Sequence, residues 1–163
     1  MLENFEYMRE SAAEYAVKWA LSRNPDYYNF DSLGGDCTNF VSQCLFAGCG
    51  VMNYTRTFGW YYIDLNNRAP AWTGVEYLYN FITSNLSEGP YAVETTNQNA
   101  KKADIVQLSD ADGRFYHSLI IVEKTQTDFL VAAHSFNALY RPLSDYYFDR
   151  ARFLHIQGFR KYV

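Results

Sequence analysis

The hydrophobic period of the chain changes at Pro90, and that change constrains the fold more than any other feature of the sequence. Before Pro90 the apolar residues recur at helical spacing; after it they alternate as in strands. Met8, Ala12, Tyr15 and Trp19 form one stripe of a helix expected over residues 4–22, which Asn24-Pro25-Asp26 breaks. A second helix is expected from Cys37 to about Ala47, burying Phe40, Val41, Cys44 and Leu45 and stopping at Gly48-Cys49-Gly50. A third carries a capping box, Thr73 with Glu76, and a core face of Val75, Leu78, Tyr79 and Ile82. Strands are expected over residues 104–108, 116–123, 129–135 and 151–159. Helices followed by a meander of strands predict an α+β architecture in one domain spanning residues 1–163. A chain of this length buries roughly 70% of its unfolded surface.

The second helix opens on Leu33-Gly34-Gly35-Asp36-Cys37-Thr38-Asn39-Phe40. The glycines permit backbone angles that a side chain forbids, and Asp36 is a natural N-cap that makes Cys37 the first helical residue. Free N–H groups and the positive end of the helix dipole favour a thiolate at that position. Cys37 is therefore the candidate nucleophile, with packing as the alternative reading. Cys44 reads as packing, and a Cys44–Cys49 pair stays open.

Only three histidines are present. If the turn after residue 123 centres between Thr125 and Gln126, His117 falls directly opposite His134 on one face, with Cβ atoms about 4.5–5.5 Å apart. A shift by one residue puts them on opposite faces. In the paired register His117 is the base for Cys37, and His134 orients the His117 ring, with Ser135 or Asn137 as alternative orienting groups. The oxyanion of an attacked carbonyl is expected to meet the Cys37 backbone N–H and a hydroxyl from Tyr28 or Tyr27. Asp36, Trp60, Ser118 and Ser135 are assigned to substrate contact. The aromatics from Phe58 to Tyr62 read either as core or as a platform for a glycan. His155 reads as structural.

The formal charge of −4, with no run of Lys or Arg, argues against a nucleic-acid partner. No apolar stretch approaches a membrane span. The N-terminus has no basic start or apolar core of a signal peptide, so the chain reads as cytoplasmic as written, with export open if it is part of a longer one. No cofactor is expected, and the protein is expected to be a monomer. A zinc site built from Cys37, His117 and His134 is a competing idea, weaker because a helix-start nucleophile already accounts for these residues.

Several spaced blocks resemble the bacterial putative amidase domain family. They are Arg23-Asn24-Pro25-Asp26-Tyr27-Tyr28-Asn29-Phe30, Gly34 to Gln43, Phe58-Gly59-Trp60, Ala71-Trp72-Thr73-Gly74, Tyr116-His117-Ser118, Ala132-Ala133-His134-Ser135 and Arg152 to Ile156. That family looks like a branch of the papain-like cysteine hydrolases close to the NlpC/P60 peptidases. The resemblance implies an N-terminal cysteine helix packed on a C-terminal antiparallel sheet, with Cys37 as nucleophile, His117 as base and His134 as the orienting residue. It further implies hydrolysis of an amide in a peptide-like, cell-wall-derived substrate. An inactive peptide- or cell-wall-binding module on the same scaffold is the alternative. Two positions depart from the family pattern: Ala103 precedes Asp104 where glycine is usual, and Cys49 stands in a glycine-rich turn.

Overall fold

A computed structural model describes all residues, 1–163. In chain order its elements are β1 (Leu2–Phe5), α1 (Arg9–Trp19), α2 (Cys37–Cys49), β2 (Tyr62–Asp64), β3 (Asn67–Arg68), α3 (Pro70–Thr73), α4 (Val75–Ser84), β4 (Gly89–Thr95), β5 (Ile105–Ser109), β6 (Phe115–Lys124), β7 (Phe129–Ala133), β8 (Ala138–Pro142) and β9 (Ala151–Tyr162). The architecture is α+β. Seven strands form one antiparallel sheet in the order β1-β9-β5-β6-β7-β8, and β4 pairs with β9. Strands β2 and β3 make a separate small hairpin.

The N-terminal helix is shorter than its apolar stripe suggested. Residues 2–5 instead pair with the end of β9, where Phe5 stacks on Phe159 at 5.5 Å. The buried stripe of α1 is Ala12 and Ala16, continued by Ala20 just past its end, while Met8 is exposed. Small side chains let α1 lie close against α2. Helix α2 starts at Cys37 and ends in a left-handed Gly50 (φ 68°), whose N–H bonds the Phe46 carbonyl at 2.7 Å. The expected Thr73–Glu76 capping box does not form. Thr73 closes α3 and its hydroxyl accepts from Arg68, Gly74 occupies the N-cap of α4, and Glu76 reaches Arg152 at 2.8 Å.

Hydrophobic side chains pack on both faces of the sheet. One core joins Phe40, Val41, Cys44 and Leu45 of α2 to Trp60, Trp72, Leu78, Ile120 and Leu154. The second joins Val106, Leu108, Leu119, Ile121, Val131 and Ala133 to Phe129, Leu143 and Phe153. Strand β6 contributes alternate residues to each, as a pleated strand must when both faces are covered. Buried Asp104 ties the layers together. Its carboxylate accepts from Arg9 at 2.8 Å, meets His155 Nδ1 at 2.9 Å, and takes the backbone N–H groups of Lys101 and Ile156. His155 thus serves the framework. Ala103 has φ 69°, so the backbone there adopts the left-handed conformation that glycine enters most readily.

The register of β6 with β7 places the histidines. Lys124 pairs with Phe129, but an irregularity between Ile121 and Glu123 shifts the ladder, and Ile120 then pairs with Ala132. Continued to the end of the hairpin, that register sets His134 opposite Ser118 rather than His117. The two histidines lie on opposite faces of the sheet.

Candidate active site

Cys37 reaches its position because two contacts tie the start of α2 to β6 and to the segment after β7, and a third braces Ser118 from within the sheet. The Thr38 hydroxyl is 2.9 Å from that of Ser118 on β6. Gln107 Nε2 on β5 donates to the same Ser118 oxygen at 3.2 Å. The Asp36 N–H donates to Ser135 Oγ at 2.8 Å. Gly34 and Gly35 have φ of 87° and 98°, and a Cβ on Gly35 would sit 3.3 Å from Ser135 Oγ. The second glycine therefore permits both the turn and the close approach.

Cys37 and His117 line one cavity of about 310 Å³. Ser135, Arg141 and Tyr146 line it too, with Tyr116 and Phe136 as aromatic walls. Phe136 is 91% exposed and, like Ser135, has a positive φ (76° and 58°). A larger depression of about 490 Å³ lies between residues 53–59 and α4, but no cysteine, histidine or charged side chain lines it.

The thiol is not the thiolate that a helix start alone suggests. Burial pushes the Cys37 thiol up, opposed by the backbone N–H of Ser118 and by the hydroxyl and N–H of Thr38, while the Asp36 carboxylate adds to the rise. Burial and then the Arg141 cation push His117 down to about 4. At neutral pH the resting pair is a thiol and a neutral imidazole. Desolvation penalises both charged forms, and at Cys37 it outweighs the hydrogen bonds that favour the thiolate.

His134 does not orient His117. Its Nε2 donates to the Trp19 carbonyl at 2.8 Å, and its Nδ1 meets Asp36 Oδ2 at 2.5 Å. Both ring nitrogens are occupied, and the ring stacks on Phe40 at 4.0 Å. The alternative Asn137 is also engaged, since its Oδ1 accepts from Arg23 at 3.0 Å. Asp36 occupies the N-cap position without a side-chain cap bond. Its carboxylate accepts instead from the Phe30 N–H at 2.8 Å and from Asn39 Nδ2 at 2.9 Å, with Arg23 Nε 3.3 Å away. Burial works to raise its carboxyl, but the hydrogen bonds from His134, the Phe30 N–H and Asn39 hold it below the usual carboxylate range. Asp36 and His134 together clamp the end of α1, the aromatic loop, the start of α2 and the end of β7.

The remaining assignments change in the same way. Tyr28 does not line the cavity; its backbone bonds Tyr62 and Asn39 while its ring meets Phe30 edge-on. Trp60 is fully buried, tilted against Trp72 with ring centroids 4.7 Å apart and its indole N–H on Ser42, so it offers no surface to a substrate. The Ser118 side chain is buried between α2 and β5. The zinc idea fails on placement, because no group of three His, Cys, Asp or Glu side chains is arranged to hold a metal ion. Sequence reading missed Arg141, Tyr146, Tyr116 and Phe136. Tyr116 was adjacent to the candidate base and was the most findable; Arg141 and Tyr146 enter only through the fold of β8 and the turn after it.

The fold and this cavity define a class: an α+β protein in which a cysteine at a helix start shares a cavity with a strand histidine. Residues 6–156 match the model of the family described as "Putative amidase domain", and the chain belongs to that family. It is 34% identical over 142 residues to uncharacterized protein YhbB of Bacillus subtilis (strain 168), covering 84% of this chain and 44% of that protein. It is 30% identical over 144 residues to uncharacterized protein YjcM of the same organism, covering 83% of this chain and 32% of that one. The chain thus spans less than half the length of these relatives. No solved structure matches it. No helix is long and apolar enough to cross a membrane.

Proposed function

We propose that this protein is a cysteine-dependent amidase of papain-like arrangement, in which Cys37 is the nucleophile and His117 the base. One observation carries the reading: the Cys37 thiol and the His117 imidazole, drawn from a helix start and a strand, line the same small cavity. With both groups neutral at rest, His117 takes the thiol proton as Sγ attacks the amide carbonyl. The carbonyl oxygen gains charge beside the Cys37 N–H, one of the unpaired donors of a helix start. The imidazolium then gives its proton to the leaving amine as the C–N bond breaks, leaving a thioester. Water, deprotonated by His117, attacks that thioester and releases the acid and the free thiol.

The substrate class that goes with this reading is a peptide-like amide. The putative amidase domain family itself looks like a branch close to the NlpC/P60 peptidases, and that kinship favours amides of cell-wall peptides. The test is mass spectrometry of peptidoglycan digested with wild type, Cys37→Ala and His117→Ala. New amine and carboxylate ends are expected with the wild type alone. Undiminished release by Cys37→Ala would overturn the proposal.

A further inference from the structure

We infer that Arg141 is a specificity-determining residue of the Cys37–His117 cavity, selecting substrates that carry a carboxylate beside the amide to be cleaved. This inference rests on the amidase reading above. Arg141 contributes the only Lys, Arg, Asp or Glu side chain to the lining of that cavity. Arg9, Arg23 and Arg152 each have a carboxylate within 4.0 Å, whereas Arg141 has none.

The guanidinium is nonetheless held in place. It stacks over the Tyr146 ring at 4.0 Å, and Nη2 donates to the Asp145 carbonyl at 3.2 Å. That is its single hydrogen bond, so most of its five N–H donors have no protein acceptor. Beside it the Tyr146 hydroxyl is buried with no neighbour other than the Arg141 guanidinium to bond it, and no hydrogen bond of ordinary geometry forms. A half-buried, oriented and unpaired fork of donors matches a carboxylate in shape and charge.

The position of the cation gives a second reason. Arg141 helps hold His117 down to about 4, which works against a general base. An anion bound at Arg141 offsets that part of the lowering, leaving the larger effect of burial, and so raises the basicity of His117. A substrate with the carboxylate is then both bound and better attacked, while one without it meets a weakened base.

The probe is a pair of near-isosteric alkylating agents, iodoacetate and iodoacetamide, applied to the whole protein with the labelled cysteine identified by peptide mapping. In each reaction an Sγ–C bond forms, iodide leaves and the thiol proton passes to solvent, so hydrolytic activity is not needed. Rates are normalised to those of glutathione with the same reagent. In wild type the normalised ratio of iodoacetate to iodoacetamide at Cys37 is expected to fall about ten-fold in Arg141→Met, the scale of a lost charge-assisted hydrogen bond. Arg141→Lys, which keeps the charge but not the fork, is expected to recover part of it. A reactive Cys37 whose ratio is unchanged in Arg141→Met overturns the role of Arg141 alone. A Cys37 labelled no faster than the buried Cys44 by either reagent overturns the nucleophile assignment, and this inference with it.

Discussion

Replacing His134 with alanine separates a structural histidine from an orienting one. The ring lies 1% exposed between the Asp36 carboxylate at 2.5 Å and the Trp19 carbonyl at 2.8 Å, and stacks on Phe40 at 4.0 Å. Removing it leaves a fully buried carboxylate short of one partner and a carbonyl short of its donor. Leaving a buried polar group without its partner costs about 1–3 kcal/mol, more when it is charged, so the carboxylate and the carbonyl together come to roughly 3–5 kcal/mol. Against a total stability of about 5–15 kcal/mol, that is a large fraction. With a urea slope of roughly 2 kcal/mol per molar, the midpoint is expected to drop by about 2 M. The three tryptophans report the transition by fluorescence, and Trp19, Trp60 and Trp72 all lie in or beside the core that His134 touches. His134→Gln, whose amide can still donate to one of the two oxygens, is expected to fall between. An orienting histidine behaves differently: its loss lowers turnover and leaves the midpoint in place. A His134→Ala midpoint within about 0.3 M of wild type would refute the clamp, since that corresponds to well under 1 kcal/mol.

Three further outcomes follow from the same geometry. His117 is 9% exposed and held down to about 4 from 6.5, so the unfolded chain takes up its proton first and stability is lost as the pH falls from about 6.5 toward 4. Between pH 7 and 4.5 the wild type is expected to lose about 2–3 kcal/mol more than His117→Gln in urea unfolding, and equal losses would count against a neutral buried ring. Because burial holds the Cys37 thiol above its usual range, its alkylation rate is expected to climb with pH beyond 9; a plateau across acid and neutral pH would mean a thiolate–imidazolium pair instead. Phe136 is exposed at φ 76°, so Phe136→Asn, which tolerates that conformation and loses no burial, is expected to raise stability by about 0.5–1 kcal/mol, read as a higher Tm.

The period change at Pro90 was enough to give the α+β class, and the glycines before Cys37 were enough to place a cysteine at a helix start. Both are local facts, written in residue spacing and backbone freedom. The capping signals were read less well. Thr73 and Asp36 are good caps in isolation, yet Arg68 claims the first and His134, Phe30 and Asn39 the second. Strands β1, β4 and β8 were not visible as strands, because Gly89-Pro90 reads as a breaker and the other two are short. Pairing with β9 and β7 makes them strands.

The sequence by itself determined which residues have the chemistry: one helix-start cysteine, and a histidine at the head of a strand. Tertiary structure alone decided which of them meet. A single irregularity between Ile121 and Glu123 turned His134 to the opposite face from His117 and toward Asp36, because side chains alternate every residue along a strand. The fold also brought in Arg141 and Tyr146, and it buried the thiol deeply enough for desolvation to outweigh the hydrogen bonds that favour a thiolate. Burial and register depend on what lies across the sheet, and no local pattern in the chain records that.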